Sequence, residues 1–153
     1  MQDGQPRDPG PTRARPEHWR SVSALIRFHG LPLDGASEHF ENFVVVLSGE
    51  QVIGAAGLEV YGDVGLLRSV AVRQESAKRG LGTRLTLSVL VRARALNLRA
   101  VYLLTTTAAE FFAQKGFRRV ERALLPTELN ASRELQGACP ATAVAMWLPL
   151  TPS

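Results

Sequence analysis

The stretch of residues 64–84 carries the clearest chemical signal in the sequence. An apolar strand pattern ends at Val72, a polar segment follows, and Gly80-Leu81-Gly82 opens a predicted helix. Glycines let the backbone approach a diphosphate, and the unpaired amides and dipole of a first helical turn favour its negative charge. Lys78 and Arg79 add positive charge at the same place. The pattern predicts a phosphate-binding loop, while plain turn chemistry is the alternative for a glycine pair before a helix.

Two charged residues in apolar strand patterns are candidates for handling a substrate. Arg68 is in phase with Val70 and Val72 if no bulge intervenes, which would aim its guanidinium at one side of a cleft to bind a carboxylate or another oxyanion. The alternative for Arg68 is a structural ion pair with a buried glutamate such as Glu59. Glu59 is in turn either a general base for an incoming ammonium or a solvated residue at a strand end.

Two threonines and the cysteine in the second half of the chain are weaker candidates. Thr105 and Thr106 follow an apolar strand pattern and would either bind an acceptor or cap the next helix, a role that we expect of Thr107. Cys139 is the only cysteine, so we expect a packed thiol and neither a disulfide nor a multi-cysteine metal site.

Composition narrows the function classes. The chain has 153 residues, 18 basic and 14 acidic, and its net charge of +4 suits an anionic ligand. The arginines are spread along the chain without a dense cluster, so we expect no nucleic-acid partner. We also expect no membrane partner and a cytoplasmic location, because no apolar run could span a bilayer and the first fifteen residues lack an apolar signal core.

The predicted helices and strands indicate a mixed α/β (α+β) fold. Polar, Pro-containing residues 1–15 predict a flexible N-terminal tail, and residues 16–150 predict one domain. Its apolar periodicity predicts helices over 21–29, 83–96 and 108–115, a hairpin of strands 43–47 and 51–60, and further strands over 64–72, 100–104, 117–124 and 143–148. The hairpins require antiparallel pairing beside parallel β-α-β units.

Several strings resemble the GNAT (Gcn5-related) N-acetyltransferase superfamily over roughly residues 16–150. They are LLRSVAV at 66–72, KRGLGTRL at 78–85, YLLTTTA at 102–108, FFAQKGF at 111–117 and CPATA at 139–143. Together they are most similar to GNAT proteins associated with arsenic resistance, and more distantly to the GNAT domain of N-acetylglutamate synthase. The resemblance implies a twisted mixed sheet, flanked by helices, whose central parallel strands splay apart to hold CoA.

The same resemblance implies a set of cofactor-binding residues. Acetyl-CoA would lie between the splayed strands with its pantetheine on the backbone of Val70, Ala71 and Val72, and the Val70 amide would stabilise the oxyanion. The remaining implied contacts are Lys78, Arg79, Gly80, Leu81, Gly82, Thr83 and Phe112.

Two positions depart from the family pattern. Ala77 stands where the phosphate loop usually begins with Arg or Gln, and Phe112 stands where a tyrosine usually protonates the leaving thiolate. Because a phenyl ring has no proton to give, the proton would come from water or the substrate ammonium, or from Tyr61 or Tyr102, or the protein is not a catalyst.

The implied function is transfer of an acetyl group from acetyl-CoA to the amine of a small molecule, with amino acids and arsenic-related compounds as acceptor classes and no metal. The alternative is a catalytically degenerate acyl-CoA-binding regulatory module. Acceptor pockets in this fold are built from the amino-terminal helices and the late loop near residues 126–137, and homodimers often form through the carboxy-terminal strands.

Overall fold

The structure is a computed structural model, and it describes residues 10–150 as one mixed sheet flanked by helices. The strands lie in the order β1-β2-β3-β4-β5-β7-β6. Within the described chain every neighbouring pair is antiparallel except β4 and β5, which are parallel. The strands are β1 Thr12–Arg13, β2 Phe43–Ser48, β3 Gln51–Tyr61, β4 Val64–Val72, β5 Ala100–Thr105, β6 Arg118–Arg119 and β7 Val144–Pro149. This is the mixed α/β sheet that the sequence predicts.

Two helices pack on opposite faces of the sheet, and a third follows β5. The helices are α1 Trp19–Phe28, α2 Leu81–Ala95 and α3 Ala109–Gln114, with single 3-10 or π turns over 16–18, 37–42, 74–76, 122–124, 127–131 and 134–138. In α1, apolar residues at 22, 25 and 26 share one face, and in α2 those at 81, 85 and 89 do so, which is helical spacing. Since both faces are covered, β3 and β4 read as nearly continuous apolar runs.

The parallel strands β4 and β5 separate before either ends. In the described chain their pairing runs from Val64 with Ala100 to Leu66 with Tyr102 and then stops, although β4 continues to Val72. We call this divergence the fork. It places the carboxyl-terminal half of β4 beside a gap, as the resemblance implies.

A β-bulge bends β4 just beyond the last paired residue of the fork. Opposite β3 the register shifts between the pairs Gly57–Arg68 and Ala55–Ala71, so β4 carries one extra residue there. Ser69 adopts a φ of 60°, a conformation that non-glycine residues seldom take. Bulges leave a residue out of the ladder and redirect neighbouring groups, so the backbone at 69–70 is turned away from regular pairing.

Two predicted segments differ in the structure. Thr12–Arg13 pairs with β2, so the last residues of the predicted tail belong to the sheet, while residues 1–9 lie outside the described residues. The strand expected over 117–124 is only two residues long, because a 3-10 turn at Arg122–Leu124 interrupts the extended chain.

No helix of residues 10–150 is long and apolar enough to cross a membrane.

We expect Gly57→Ala to destabilise the protein. A Cβ at Gly57 would stand 2.3 Å from ring atoms of Phe43, which is fully buried on the neighbouring strand. Either the ring or the strand must move, at a cost of about 1–3 kcal/mol. Urea denaturation measures the change, and Gly10→Ala is the matched control, since the nearest atom to its Cβ would be 3.7 Å away. Equal stability of the two variants would contradict this packing.

Candidate functional site

The open end of the fork is flanked by the segments that follow its two strands. The loop after β4 leads through a 3-10 turn at Gln74–Ser76 to Gly80, whose φ of 74° lies in the left-handed region before α2 begins at Leu81. The first-turn amides of α2 have no acceptor within the helix and so are available to an anion. A Cβ on Gly80 would meet nothing within 4 Å, so the loop leaves open space there.

The first turn of α2 also meets α3 across the open end of the fork. Phe111 Cζ lies 3.4 Å from the place that a Cβ of Gly82 would take, and the Lys115 ammonium lies 4.4 Å from the centre of the Phe111 ring. Lys78 is exposed, and the Arg79 guanidinium donates to Ser76 Oγ at 3.4 Å. The helix terminus and these basic side chains form an anion-binding environment suited to a diphosphate.

Phe112, which the resemblance implies as a cofactor contact, has a neighbour in the chain that lies closer to the phosphate loop. Phe112 is buried and packs edge-on against Phe117, with ring centres 5.8 Å apart. The half-buried Phe111 is the residue that contacts Gly82, so it is the aromatic side chain nearer the expected phosphate site. Phe111 was not among the predicted contacts, because the resemblance implies a role only for the neighbouring position 112.

The bulge changes the face on which Arg68 lies. Because one extra residue intervenes, Arg68 shares its face with Leu66 and Ala71, and the expected phase with Val70 and Val72 is wrong. Val70 and Val72 are partly buried against the apolar cluster beneath α2. The Arg68 side chain therefore extends to the opposite face, beneath the segments that connect α1 to β2 and β6 to β7.

Arg68 is an ion-pair residue in this structure, the alternative that the sequence left open. Its Nη1 donates to Glu59 Oε2 at 2.6 Å, and both side chains are fully buried. The guanidinium also donates to the carbonyls of Asp34 at 2.7 Å and Pro32 at 2.8 Å and to Ser69 Oγ at 3.0 Å. Each of the three guanidinium nitrogens thus donates to another group of the protein, and the side chain is not exposed to solvent.

A second carboxylate, which the sequence analysis missed, faces the same guanidinium. Glu134 Oε2 lies 3.4 Å from Arg68 Nε, and its side chain is 4% exposed. Burial, together with the charge of Glu59, raises the pKa of Glu134 to about 7, although Arg68 opposes the shift. The available signal was Arg68 itself, since a buried arginine in an apolar strand requires carboxylate partners from elsewhere in the chain.

Cys139 is a packed thiol beside the buried cluster of Arg68, Glu59 and Glu134. It is buried and its thiol hydrogen-bonds to the Glu134 carboxylate. Burial and the neighbouring Glu134 charge raise the pKa of the thiol to about 12. The thiol therefore stays protonated at neutral pH, which makes it unreactive.

Tyr61 links the cluster to the surface. Its hydroxyl donates to Glu59 Oε1 at 2.6 Å and lies 3.2 Å from His39 Nε2, which can donate to it. Burial and the Glu59 carboxylate raise the pKa of Tyr61 well above its usual range, so its proton is held tightly. Tyr102, the other tyrosine considered as an acid, is buried and stacks on Trp147 at 6.1 Å.

The three threonines at and after the end of β5 divide into one structural and two exposed residues. Thr105 Oγ1 accepts a hydrogen bond from the Ala108 amide at 2.9 Å, so the residue that ties down the start of α3 is Thr105. The expectation that Thr107 would do this is wrong. Thr106 and Thr107 are exposed.

Surface cavities do not identify the site. One groove of about 430 Å³ lies between α1 and the ends of β3 and β4, and another of about 600 Å³ lies beside Trp19 and Phe40. Neither is lined by β5 or by residues 77–83. Within residues 10–150, no group of three or more His, Cys, Asp or Glu side chains is arranged to hold a metal ion.

The titration of Glu134 predicts a pH dependence of stability. Its folded pKa of about 7 exceeds the ordinary value of 4.5, so folding takes up a proton between these pH values. Stability from this group is therefore highest below pH 4.5 and falls as pH rises to about 7. The side chain that Glu134→Gln introduces cannot ionise. As pH rises from 5 to 8, the free energy of unfolding of this variant should therefore rise by roughly 1–3 kcal/mol relative to that of the unmodified protein.

Urea denaturation at the two pH values measures that gain, with the exposed Glu128→Gln as control in the same segment. Parallel pH profiles for the Glu134 variant and the unmodified protein would show that Glu134 is ionised throughout and would contradict the shift.

Comparisons with known proteins agree with this geometry. Two amino-acid acetyltransferases of Neisseria meningitidis, from serogroup A and serogroup B strains, are each 28% identical over 114 residues. The match covers 69% of this chain but only 26% of each relative, so the chain spans about a quarter of their length.

Two solved structures share the fold. Rv2747 from Mycobacterium tuberculosis, in complex with CoA and NLQ, superposes with a TM-score of 0.77 at 24% identity, covering 94% of this chain and all of that one. N-acetylglutamate synthase from Neisseria gonorrhoeae, complexed with coenzyme A and N-acetyl-glutamate, gives 0.80 at 22% identity, covering 93% of this chain and 35% of that one.

A family-level match covers most of the chain. The sequence profile of the acetyltransferase (GNAT) family matches residues 7–119, which include the fork, the bulge, the glycine loop and α3. The chain therefore belongs to the acetyltransferase (GNAT) family.

Proposed function

We propose that the protein is an acetyl-CoA-dependent N-acetyltransferase whose acceptor is the amine of a small molecule. The observation that carries the proposal is the fork, in which β4 and β5 part after Leu66 and Tyr102 while the first turn of α2 lies at its open end. Such a gap between parallel strands accepts an extended chain on exposed backbone, and the helix terminus accepts phosphate. When bound, acetyl-CoA supplies a thioester whose carbonyl carbon the amine attacks, so that an amide forms, CoA leaves as the thiol and the amine loses one proton.

The chain's own residues hold and polarise the donor. The backbone of Val70, Ala71 and Val72 binds the pantetheine arm, and the loop of residues 78–83 binds the diphosphate. The Val70 amide, redirected by the bulge at Ser69, donates to the thioester oxygen. Holding amine and thioester in contact supplies much of the remaining rate enhancement.

No side-chain acid is needed in this proposal. Phe112 has no proton to give, and the Tyr61 proton is bonded to Glu59. The leaving thiolate therefore recovers the proton that the amine loses, directly or through water. Glu59 is fully buried between Arg68 and Tyr61, so we assign it to the support of the site rather than to proton abstraction.

Amino acids are the first acceptor class to test, since the meningococcal relatives are named amino-acid acetyltransferases. Aminated arsenicals are the second class, on the strength of the sequence strings that resemble arsenic-associated proteins. Thr106 follows directly after β5 and is the threonine that we propose to contact an acceptor, since Thr105 is committed to Ala108.

A second candidate function is an acyl-CoA-binding regulatory module. Phe112 favours it, because the position that commonly carries the family's acid is a buried phenyl ring in this chain. Such a module would keep the fork and the phosphate loop while releasing no thiol.

Thiol release from acetyl-CoA, measured across a panel of amino acids and aminated arsenicals, tests the proposal. We expect turnover with at least one amine and an acetylated product of matching mass. Saturable CoA binding without turnover on any amine would support the regulatory module and contradict the transferase.

A further inference from the structure

Two wall segments, residues 31–42 and residues 120–143, cover the face of β4 that lies opposite α2. The first connects α1 to β2 and the second connects β6 to β7. Neither contains a strand or an α-helix of its own in the structure; both consist of short 3-10 or π segments and irregular chain. Segments of this kind hold their shape only through contacts with the scaffold beneath them.

Apolar side chains of both walls pack on the sheet, Ala36 and Leu129 among them, and polar contacts from both walls also meet at one buried side chain. Arg68 donates to two carbonyls of the first wall segment, those of Pro32 and Asp34, and pairs with Glu134 of the second. Glu59, its third partner, belongs to β3 and fixes the guanidinium to the sheet. A single rigid, planar group thus orients both walls relative to β4.

The walls also meet each other above this group. A Cβ at Gly35 would lie 3.4 Å from Arg68 Nη1 and 3.2 Å from Arg133 Cγ, so the first wall passes between the two arginines. At the surface Arg133 Nη2 pairs with Glu38 Oε2 at 3.1 Å, with both side chains about half exposed. The exposed pair contributes little, whereas Arg68 makes buried contacts to both walls.

Arg68 also lies just beyond the point where β4 and β5 stop pairing in the fork. It follows Leu66, the last β4 residue that pairs with β5, by two positions, and its Nε donates to Ser69 Oγ in the bulge. The phosphate loop and the first turn of α2 make none of the Arg68 contacts described above. The contacts of Arg68 described above therefore hold the wall side of β4 and not the phosphate loop.

We propose that Arg68 is a positioning residue that sets the affinity for the amine by holding both wall segments against β4, without contacting either substrate. This rests on the proposed function, because only that function makes the face under the walls the acceptor side.

Arg68→Lys separates positioning from folding. Lysine keeps a cation between Glu59 and Glu134, but its single ammonium cannot reproduce the planar fork that reaches Pro32 and Asp34. Losing two hydrogen bonds to the walls should raise the KM for the best amine of the panel about tenfold or more. The dissociation constant for CoA should stay within about twofold, and Arg99→Gln, which breaks an exposed pair with Asp63, should change neither value.

Hydrogen exchange tests the same inference without turnover. We expect Arg68→Lys to speed amide exchange in both wall segments and to leave exchange in α2 unchanged. An equal rise in the KM for amine and for acetyl-CoA, or faster exchange spread through α2, would overturn the positioning role. If no amine turns over or CoA does not bind, the proposed function fails, and the exchange pattern alone still decides whether Arg68 holds the walls.

Discussion

Arg68→Met is expected to lower the free energy of unfolding by about 3–5 kcal/mol at pH 7.5, because it leaves buried carboxylates without their cation. Glu59 is fully buried and the Glu134 side chain is 4% exposed, so water cannot replace the guanidinium. The carbonyls of Pro32 and Asp34 lose their donors as well. The loss should be smaller at pH 5, where Glu134, whose pKa is about 7, is protonated.

Urea denaturation of the single and double variants measures this effect. Arg68→Met combined with Glu59→Gln should recover part of the lost stability, since one of the two buried carboxylates is then replaced by a neutral amide. Arg99→Met is the matched control, because Arg99 and Asp63 form a pair 2.9 Å apart whose side chains are 54% and 55% exposed. A loss for Arg68→Met no larger than that of the control would show that the buried cluster is not held by the ion pair.

Gly82→Glu should weaken the binding of acetyl-CoA by a factor of 100 or more. A carboxylate in the first turn of α2 would stand beside the diphosphate, and two like charges about 4 Å apart repel by roughly 4 kcal/mol near a protein surface. The fold itself should tolerate the change, because a negative side chain in the first turn of a helix is favourable. Calorimetric titration gives the affinity, and thermal unfolding checks the fold.

Two further substitutions at the same position separate charge from bulk. Gly82→Gln has the shape of glutamate without its charge, and Gly82→Ala adds one carbon in ordinary contact, 3.4 Å from Phe111 Cζ. The expected order of affinity loss is alanine, then glutamine, then glutamate. Unchanged affinity in the glutamate variant would place the diphosphate elsewhere.

Regular elements with strong apolar patterns were predictable from the sequence. Strand β4 begins and ends where its apolar run does, and the α2 pattern indicated the helix to within two residues at either end. The strand expected over 117–124 failed because its apolar residues are too few and a 3-10 turn competes with extension. Local pattern decides an element only where burial along its whole length supports it.

The chemistry of the site was less predictable, for reasons that are physical. The bulge depends on Ser69 taking a positive φ, and serine gives no sequence sign of that conformation. That single insertion moved Arg68 to the other face of the sheet and turned a proposed substrate ligand into a buried ion-pair residue. Glu134 joins it from a distant irregular segment, and pairing at such separation leaves no periodic trace in the sequence.

The resemblance supplied what periodicity does not contain, the opening between two parallel strands. Residues 64–72 and 100–104 predict two strands, but their separation after Leu66 and Tyr102 follows from three-dimensional packing. The glycine loop and the start of α2 were placed correctly relative to that opening. Phe111, rather than Phe112, lies beside Gly82, and no periodicity in the sequence distinguishes these two neighbouring rings.

Calorimetric titration of the unmodified protein with acetyl-CoA is the most direct test of the central claim, that the fork and the first turn of α2 form an acyl-CoA site. We predict saturable one-to-one binding with a dissociation constant between about 1 µM and 1 mM, the range usual for enzyme substrates. The absence of saturable binding at millimolar acetyl-CoA, with the protein folded, would contradict the claim.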